Sequence, residues 1–264
     1  MSLLDGLRFR MGTSPIHRID PRAKFIMVIT LFSASILFYE LLPLMAIFLI
    51  QVPLLLLGKV AREWIRTLRG GAVLALIIFA SNLISFYFFQ GYILTTEMIE
   101  LSLSLSLRFL SLMTSFSIFF LTTSPDELSL ALERARVPYE FNFAFITAIR
   151  FVPVLADEAQ SILDAQRARG LEVERGGPIA RLRNYIPILL PLIVNSIRRS
   201  LELAEAMESR GFGASGRRTN LYELRMKGGD YLVLASSIIF LGASIYLKLS
   251  GFSTGPIFPS TRIL

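Results

Sequence analysis

The sequence predicts an all-α, polytopic membrane protein with about five transmembrane helices and several long cytoplasmic helices. Hydrophobic residues make up 53% of the 264 positions, and the mean hydropathy is +0.59. A soluble domain of this length needs more polar surface than that to cover its core. The apolar residues are gathered in runs long enough to cross a bilayer, for which about 20 residues suffice. The basic residues are gathered between those runs.

The N-terminal region, residues 1–123, is predicted to contain four spans. They cover about 25–38, 41–57, 72–89 and 101–121. The first begins after Asp20 and Pro21, a carboxylate N-cap followed by proline at the first helical position. A tight hairpin at residues 39–40 joins the first two spans. Leucine and serine alternate over residues 101–107, and in lipid this pattern favours a helix with small hydroxyls for close packing rather than a strand.

The distribution of lysine and arginine predicts the orientation of the spans. Residues 1–24 carry five of these residues, the loop 58–70 carries four and the region 124–228 carries fifteen, whereas the connections 39–40 and 90–100 carry none. All basic loops fall on one side if the N-terminus is cytoplasmic and the helices alternate. A multi-pass protein of the cell membrane is therefore expected. The net charge of +7 reflects this orientation and indicates no nucleic-acid partner.

The region 124–228 is predicted to face the cytoplasm, and the region 229–264 to contain a last span and a tail. A capping box at residues 124–127 starts a short helix. Two longer helical patterns, about 140–169 and 179–210, each begin apolar and end charged, with apolar runs too short to span. Each helix is therefore expected to be anchored at the membrane and to end in the cytoplasm.

The two longer helices end in the same sequence pattern. An acidic residue, alanine, two free positions, a small residue, arginine and glycine occur at 164–170 and again at 205–211. Glycine there permits a left-handed C-cap, and arginine suits the negative end of the helix dipole. One copy would be explained as a cap, but two copies in one frame predict two arginines that enter acceptor-rich pockets of two similar or identical partners. The candidate site residues are Ala168, Arg169, Gly170, Ser209, Arg210 and Gly211.

These residues, together with three other segments, resemble a known family. The segments are Ser-Pro-Ile-His-Arg-Ile-Asp-Pro-Arg-Ala-Lys at 14–24, Thr-Thr-Ser-Pro-Asp-Glu-Leu at 122–128 and Arg-Phe-Val-Pro at 150–153. In this order they resemble the T component of energy-coupling factor transporters, which is related to cobalt-transport permeases. The resemblance extends from about residue 10 to 220. One departure is Ser209, where alanine is common.

The resemblance implies a transmembrane energy-coupling subunit of an ATP-driven importer of vitamins or transition-metal ions. It implies two cytoplasmic ATPase subunits, similar or identical, that hold Arg169 and Arg210 in grooves at the tips of the coupling helices. It also implies a separate small membrane protein, the S component, that binds the substrate and packs against the membrane helices. The transported substrate, and whether one S component or several are served, are not encoded in this chain.

The residue inventory indicates no catalytic, cofactor or metal site. The chain has no cysteine and one histidine, His17, which excludes thiolate chemistry and histidine-rich metal sites. A P-loop is excluded because the sequence Gly58-Lys59 is followed by valine. ATP hydrolysis is therefore expected on partner subunits.

Two pairs of adjacent carboxylates are also interpreted as structural. Neighbouring residues on a helix point about 100° apart, so they do not share an acid/base site. Asp126 and Glu127 suit a helix N-terminus, where negative charge is favoured. Asp157 and Glu158 suit a solvated face.

Two other function classes remain to be compared with a coupling subunit. A self-contained channel or secondary carrier predicts charged or broken-helix positions inside several spans, and only Arg108 fits. Arg108 either snorkels to the outer surface or has a function of its own, and the sequence leaves both open. A membrane-bound enzyme would need converging His, Asp or Glu residues at the membrane face, whereas the acidic residues are scattered.

Overall fold

A computed structural model describes residues 14–89, 95–214 and 226–250, and the regular secondary structure of these residues is α-helical, as predicted. The helices are α1 Pro21–Leu37, α2 Leu41–Leu57, α3 Ala61–Phe89, α4 Thr96–Thr122, α5 Pro125–Arg134, α6 Tyr139–Ala168, α7 Pro178–Asn184, α8 Ile186–Ser209 and α9 Gly228–Leu249. The described chain divides into two compact units. We call residues 14–131 with 226–250 the bundle unit and residues 132–214 the hairpin unit.

Several helices have the length and composition of a membrane span. They are α3, α4, α6 and α9, and the shorter α2 is also apolar. This finding confirms a polytopic membrane protein. The sequence analysis did not predict α6 as a span, because the charged residues in its second half indicated an apolar run too short to cross a bilayer. As a continuous helix of 30 residues, α6 contains an apolar window of spanning length in its first part.

The predicted loop 58–70 is wrong, because α3 begins at Ala61 and its first turns carry the basic residues Arg62, Arg66 and Arg69. Arginine is a good helix former, so a basic helix end and a basic loop have the same composition. The pattern at 179–210 is likewise interrupted, since Tyr185 separates α7 from α8.

The bundle unit is organised around α4, which packs against α1, α2 and α3, while α9 packs against α1. Its core has two clusters of buried apolar side chains. They are Met27, Val28, Leu31, Leu55, Val60, Ile118 and Phe119 in one, and Ala34, Phe38, Leu44 and Ile47 in the other. At the α3–α4 contact, a Cβ on Gly71 would meet Met113 Sδ at 2.3 Å, so only glycine allows this approach without a shift.

The central position of α4 explains the alternation of leucine and serine in its sequence. Ser102 and Ser106 lie on one side of the helix and Ser104 lies on the opposite side, yet all three are buried. A helix surrounded by three neighbours buries several faces, and small hydroxyls let those neighbours approach. Farther along α4, Gln51 Nε2 donates to Ser111 Oγ at 3.1 Å and to Ser115 Oγ at 3.0 Å. The prediction of a helix here is confirmed.

Arg108 has partners at the end of the neighbouring helix. Its guanidinium donates to the carbonyl of Phe38, just past the end of α1, and lies 4.1 Å from the centroid of the Tyr39 ring. Lys248 Nζ lies 5.4 Å from the centroid of the same ring. Arg108 therefore satisfies an otherwise unpaired helix-end carbonyl and takes part in a cation–π contact.

Candidate functional site

The first candidate end, at the C-terminus of α6, is a Schellman motif. Gly170 has φ +90°, and its N–H donates to Arg167 O at 2.9 Å. The Leu171 N–H donates to Gln166 O at 3.0 Å, which closes the longer loop of the motif. Arg169 is the C-cap residue, with φ −84° and ψ 4°.

The second candidate end, at the C-terminus of α8, has the same geometry. Gly211 has φ +73°, its N–H donates to Glu208 O at 2.9 Å, and the Phe212 N–H donates to Met207 O at 2.9 Å. Arg210 is again the C-cap residue, with φ −92° and ψ 10°. The repeated sequence therefore folds twice into one backbone shape.

The six candidate residues lie at the surface. All are exposed, and in the part of the chain that the structure describes neither Arg169 nor Arg210 forms an ion pair. Arg167, two residues before the first cap, is instead 4.0 Å from Asp164. The two cap arginines therefore present their planar, multiply donating groups to whatever approaches the helix ends.

Contacts between α6 and α8 show that the two helices run antiparallel. Gln166 Nε2 donates to Pro187 O at 3.3 Å, near the end of α6 and the start of α8. At the opposite end, Phe143 and Phe212 have ring centroids 5.3 Å apart. The two cap arginines consequently lie at opposite ends of the helix pair, and α6 alone, at about 1.5 Å per residue, is roughly 45 Å long.

This orientation corrects one expectation. Two helices that each left the membrane for the cytoplasm would run in the same direction, and α6 and α8 do not. The sequence contains the apolar-to-charged gradient of each helix but not their relative direction. In the antiparallel pair, the charged part of each helix lies beside the apolar part of the other.

Glu158 joins the middle of the pair. Its carboxylate accepts from Asn195 Nδ2 at 2.7 Å and from Arg199 Nη2 at 3.1 Å. Its side chain is 18% exposed, so the prediction of a solvated face is wrong for Glu158, whereas Asp157 is exposed as expected. An acid opposite an asparagine and an arginine about 40 residues away cannot be recognised from the sequence of one helix.

A small aromatic cluster holds the second arginine end against the start of α6. Phe212 follows Gly211 directly, and its ring centroid lies 6.3 Å from that of Tyr139 and 5.3 Å from that of Phe143. Aromatic pairs at these separations are favourable beyond their buried area. The packing of Phe212 therefore holds the backbone turn that follows Arg210 against the first turns of α6. The sequence offers one signal for this role, a large apolar residue after the C-cap glycine.

In the bundle unit, the segments 14–24 and 122–128 are brought together by one buried lysine. Lys24 is 1% exposed, and its Nζ donates to His17 O at 3.1 Å and to Thr122 O at 2.8 Å. The same atom lies 3.7 Å from Glu127 Oε2. Glu127 also forms the predicted capping box with Ser124, since each backbone N–H donates to the other's side chain, at 3.1 and 3.2 Å.

A second buried charge completes this junction. The predicted N-cap Asp20 accepts from the Arg22 N–H at 2.9 Å, and its own N–H donates to Asp230 Oδ1, also at 2.9 Å. Asp230 is 4% exposed and lies in the first turn of α9. Nearby, burial and the positive charge of Lys24 lower the pKa of His17 from its ordinary value of 6.5. The start of α1 is thus fixed to α5 and α9.

Comparison with known proteins places both arginine ends within one family region. The family described as "CbiQ: Cobalt transport protein" matches residues 12–221, which is most of the chain. The chain belongs to the CbiQ cobalt transport protein family. The matched CbiQ region includes both Schellman ends, the hairpin unit's helices and the segments joined by Lys24. The protein is therefore a membrane protein of a transport family.

Individual CbiQ-family relatives share about a third of the sequence over nearly their whole length. An energy-coupling factor transporter transmembrane protein of Lactococcus lactis subsp. cremoris is 32% identical over 250 residues, covering 88% of this chain and 93% of the relative. Proteins of the same name from Staphylococcus aureus and Streptococcus thermophilus are 31% and 32% identical. Each covers more than nine-tenths of both chains, 92% and 97% for the first and 91% and 97% for the second.

Proposed function

We propose that this chain is the transmembrane coupling subunit of an ATP-driven energy-coupling factor importer of vitamins or transition-metal ions. In this proposal Arg169 and Arg210 each enter a groove of one of two cytoplasmic ATPase subunits, and the chain itself has no catalytic role. The observation that carries the proposal is the pair of identical Schellman ends, which present two exposed arginines at opposite ends of one antiparallel helix pair. The names of the relatives support the same role.

The separation of the two ends suits two motor subunits. One ATPase bound at Arg169 and another at Arg210 would each move one end of the α6–α8 pair. The Glu158 contacts with Asn195 and Arg199, and the aromatic cluster at Phe212, hold the two helices together. A relative movement of the ATPases would then be transmitted to both helices at once. This is the mechanical link that a coupling subunit needs.

The substrate-binding S component is proposed to pack on apolar faces that the chain does not cover itself. Leu190 and Ile193, about one turn apart in α8, are 63% and 55% exposed, so the hairpin unit offers such a face. The N-terminus is proposed to be cytoplasmic, and α6 and α8 are proposed not to cross the membrane, because this places both ATPase-binding ends on the side where ATP is available and agrees with the distribution of basic residues.

The test compares arginine variants with charge-matched controls. Arg169→Ala and Arg210→Ala are each expected to reduce recovery of the ATPases with the purified complex and to reduce uptake, and the double variant to reduce both further. Arg167→Ala with Arg198→Ala removes the same charge from exposed positions of the same helices. This control is expected to keep both properties. Normal complex recovery and uptake in the double cap variant would contradict the proposal.

Reconstitution separates this proposal from a channel or secondary carrier. The purified chain alone in vesicles is expected to transport neither vitamins nor metal ions, and transport is expected only with the ATPases, an S component and ATP. Substrate flux through the chain alone would favour the carrier. Arg108, the one charged position that fits a carrier, donates through Nη2 to the Phe38 carbonyl and lies over the Tyr39 ring, while its buried Nε has no hydrogen-bond partner among the described residues.

A further inference from the structure

The short helix α7, between the two long helices of the hairpin unit, has an apolar face that no described residue covers. Ile179 is 86% exposed and Leu182 is 72% exposed, the two largest values among the apolar residues of this unit. Tyr185 and Ile186, which follow at once, are 47% and 55% exposed. Side chains three and four positions apart lie on one face of a helix. Four neighbouring apolar side chains therefore share an unpartnered surface.

The opposite side of α7 faces the protein. Asn184 Nδ2 donates to Glu172 O at 3.1 Å and to Arg175 O at 3.2 Å, so Asn184 marks the inner side of the helix. At about 100° per residue, Leu182 and Ile179 lie roughly 160° and 140° from Asn184 around the helix axis. The hydrogen bonds of Asn184 thus direct the apolar pair away from the rest of the unit.

The charged residues of α7 itself are both arginines. Glu172, the acid whose carbonyl contacts the inner side of the helix, is paired with Arg175, and from residue 175 to residue 201 the sequence contains no acidic residue. Arg183 lies about 40° from Ile179 around the helix, at the edge of the apolar face. Arg181 uses Nε to donate to Gly176 O at 3.1 Å, which leaves its terminal nitrogens available. In the described part of the chain neither arginine has an ion-pair partner.

We infer that α7 is an interfacial helix that lies on the membrane surface and binds anionic lipid headgroups through Arg181 and Arg183. Ile179 and Leu182 enter the boundary between headgroups and acyl chains, and the two guanidinium groups bind lipid phosphates beside them. Apolar residues on one face with arginine beside them are the pattern of helices that lie in the membrane interface. Tyr185 is of the type enriched at that depth. The inference does not depend on what Arg169 and Arg210 contact.

The two arginines are expected to make this surface selective for anionic lipids. Each arginine close to such a surface favours binding about fivefold, so the pair favours it about 25-fold. An acidic protein surface would also attract arginines. An acidic surface would not, however, bury the apolar side chains of Ile179 and Leu182. An anionic lipid surface accommodates both the apolar side chains and the arginines, and we therefore favour it.

The test measures the depth of a spin label in nanodiscs. The chain has no cysteine, so Leu182→Cys provides one labelling site in the full-length protein. Ala180→Cys is the matched control, because Ala180 is also exposed and lies about 160° from Leu182 around the same helix. Discs of phosphatidylcholine alone are compared with discs that also contain phosphatidylglycerol. Collisions with oxygen report lipid, and collisions with a water-soluble nickel chelate report solvent.

In discs with phosphatidylglycerol, the label at 182 is expected to collide mainly with oxygen and the label at 180 mainly with the nickel chelate. Arg181→Gln with Arg183→Gln, or removal of phosphatidylglycerol, is expected to reduce the ratio of immersed to solvent-exposed label at 182 about 25-fold. Equal solvent access at 182 and 180 would overturn the inference. Immersion of the label at 182 that is the same with and without phosphatidylglycerol and with and without the two arginines would also overturn it. A label at 182 that is shielded from both reagents only when other subunits are added would overturn it as well.

Discussion

The bundle unit and the hairpin unit bury apolar side chains to very different extents. In the bundle unit, α4 is surrounded by three helices and two apolar clusters are closed off. In the hairpin unit, Val173 and Ile188 are the only buried hydrophobic residues among those described, while Ile179, Leu190 and other large apolar side chains are exposed. The bundle unit is stabilised largely from within. Both units expose large apolar side chains, for example Leu76 at 67% and Leu190 at 63%, so the difference between them lies in the buried core.

The two units also use polar contacts differently. The bundle unit buries Lys24 and Asp230, each with two backbone partners. The hairpin unit relies on the partly exposed contact of Glu158 with Arg199 and on one aromatic cluster. The comparison therefore predicts larger effects of single substitutions in the bundle unit.

The largest effect is expected at Lys24. Lys24→Ala removes the donor of the His17 and Thr122 carbonyls and is expected to destabilise the bundle unit by about 2–3 kcal/mol, because both carbonyls lose a hydrogen bond to a charged group. Thermal unfolding of the purified protein in detergent measures the loss. Lys59→Ala, at an exposed lysine, is the control and is expected to stay within about 0.5 kcal/mol of wild type. Equal stability of the two variants would contradict a stabilising role for Lys24.

Local sequence signals predicted much of what the structure shows. The Asp20 N-cap, the capping box at Ser124 and Glu127 and the glycine C-caps involve residues two to five apart, so the sequence contains all the information they need. The six candidate residues were found for the same reason, although their role in binding partners stays a prediction.

Long-range contacts could not be predicted in this way. The Lys24 bond to Thr122 joins residues 98 apart, and the Asp20 bond to Asp230 joins residues 210 apart. The antiparallel course of α6 and α8 depends on which faces meet, and two amphipathic gradients fit either direction. The start of α3 at Ala61 was missed because a basic helical turn at a membrane surface has the composition of a loop.

A smaller effect is expected in the hairpin unit. Glu158→Ala is expected to weaken the α6–α8 pair by about 1–2 kcal/mol, because Asn195 and Arg199 lose a charged acceptor. Hydrogen exchange of α6 and α8 amides measures this local opening, and the amides of α4 are expected to be unchanged. Asp157→Ala, at the exposed neighbour, is expected to leave exchange as in wild type. A uniform increase across both units would contradict the separation of the two.

Adjacent glycines in α3 test how closely the bundle unit is packed. Gly70→Ala is expected to stabilise the protein by up to about 1 kcal/mol, since alanine is the better helix former and nothing lies within 4 Å of the added Cβ. Gly71→Ala is expected to lose that gain, because its Cβ meets Met113 Sδ at 2.3 Å and the methionine must move. Unfolding temperatures of the two variants measure the difference. Equal gains would show that α3 and α4 are not in close contact there.

The smallest effect is expected from pH. The pKa of His17 is lowered in the folded protein by burial first and by Lys24 second, so the unfolded chain binds its proton more readily. The stability of the bundle unit is then fully present above the ordinary value of 6.5 and decreases as the pH falls below it. His17→Gln is expected to remove that part of the pH dependence in unfolding curves. An unchanged slope in the variant would assign the dependence to other groups.

The central claim is that each arginine end contacts one ATPase, and site-specific cross-linking tests it most directly. Ala168→Cys and Ser209→Cys place a single thiol beside Arg169 or Arg210 in a chain without other cysteines. Each variant, in the complete complex with a short bifunctional reagent, is expected to give an adduct with one ATPase, and the double variant an adduct with two. Ala165→Cys, one turn earlier on an exposed position of α6, is expected to give little. An intact complex with no ATPase adduct from either end would contradict the claim.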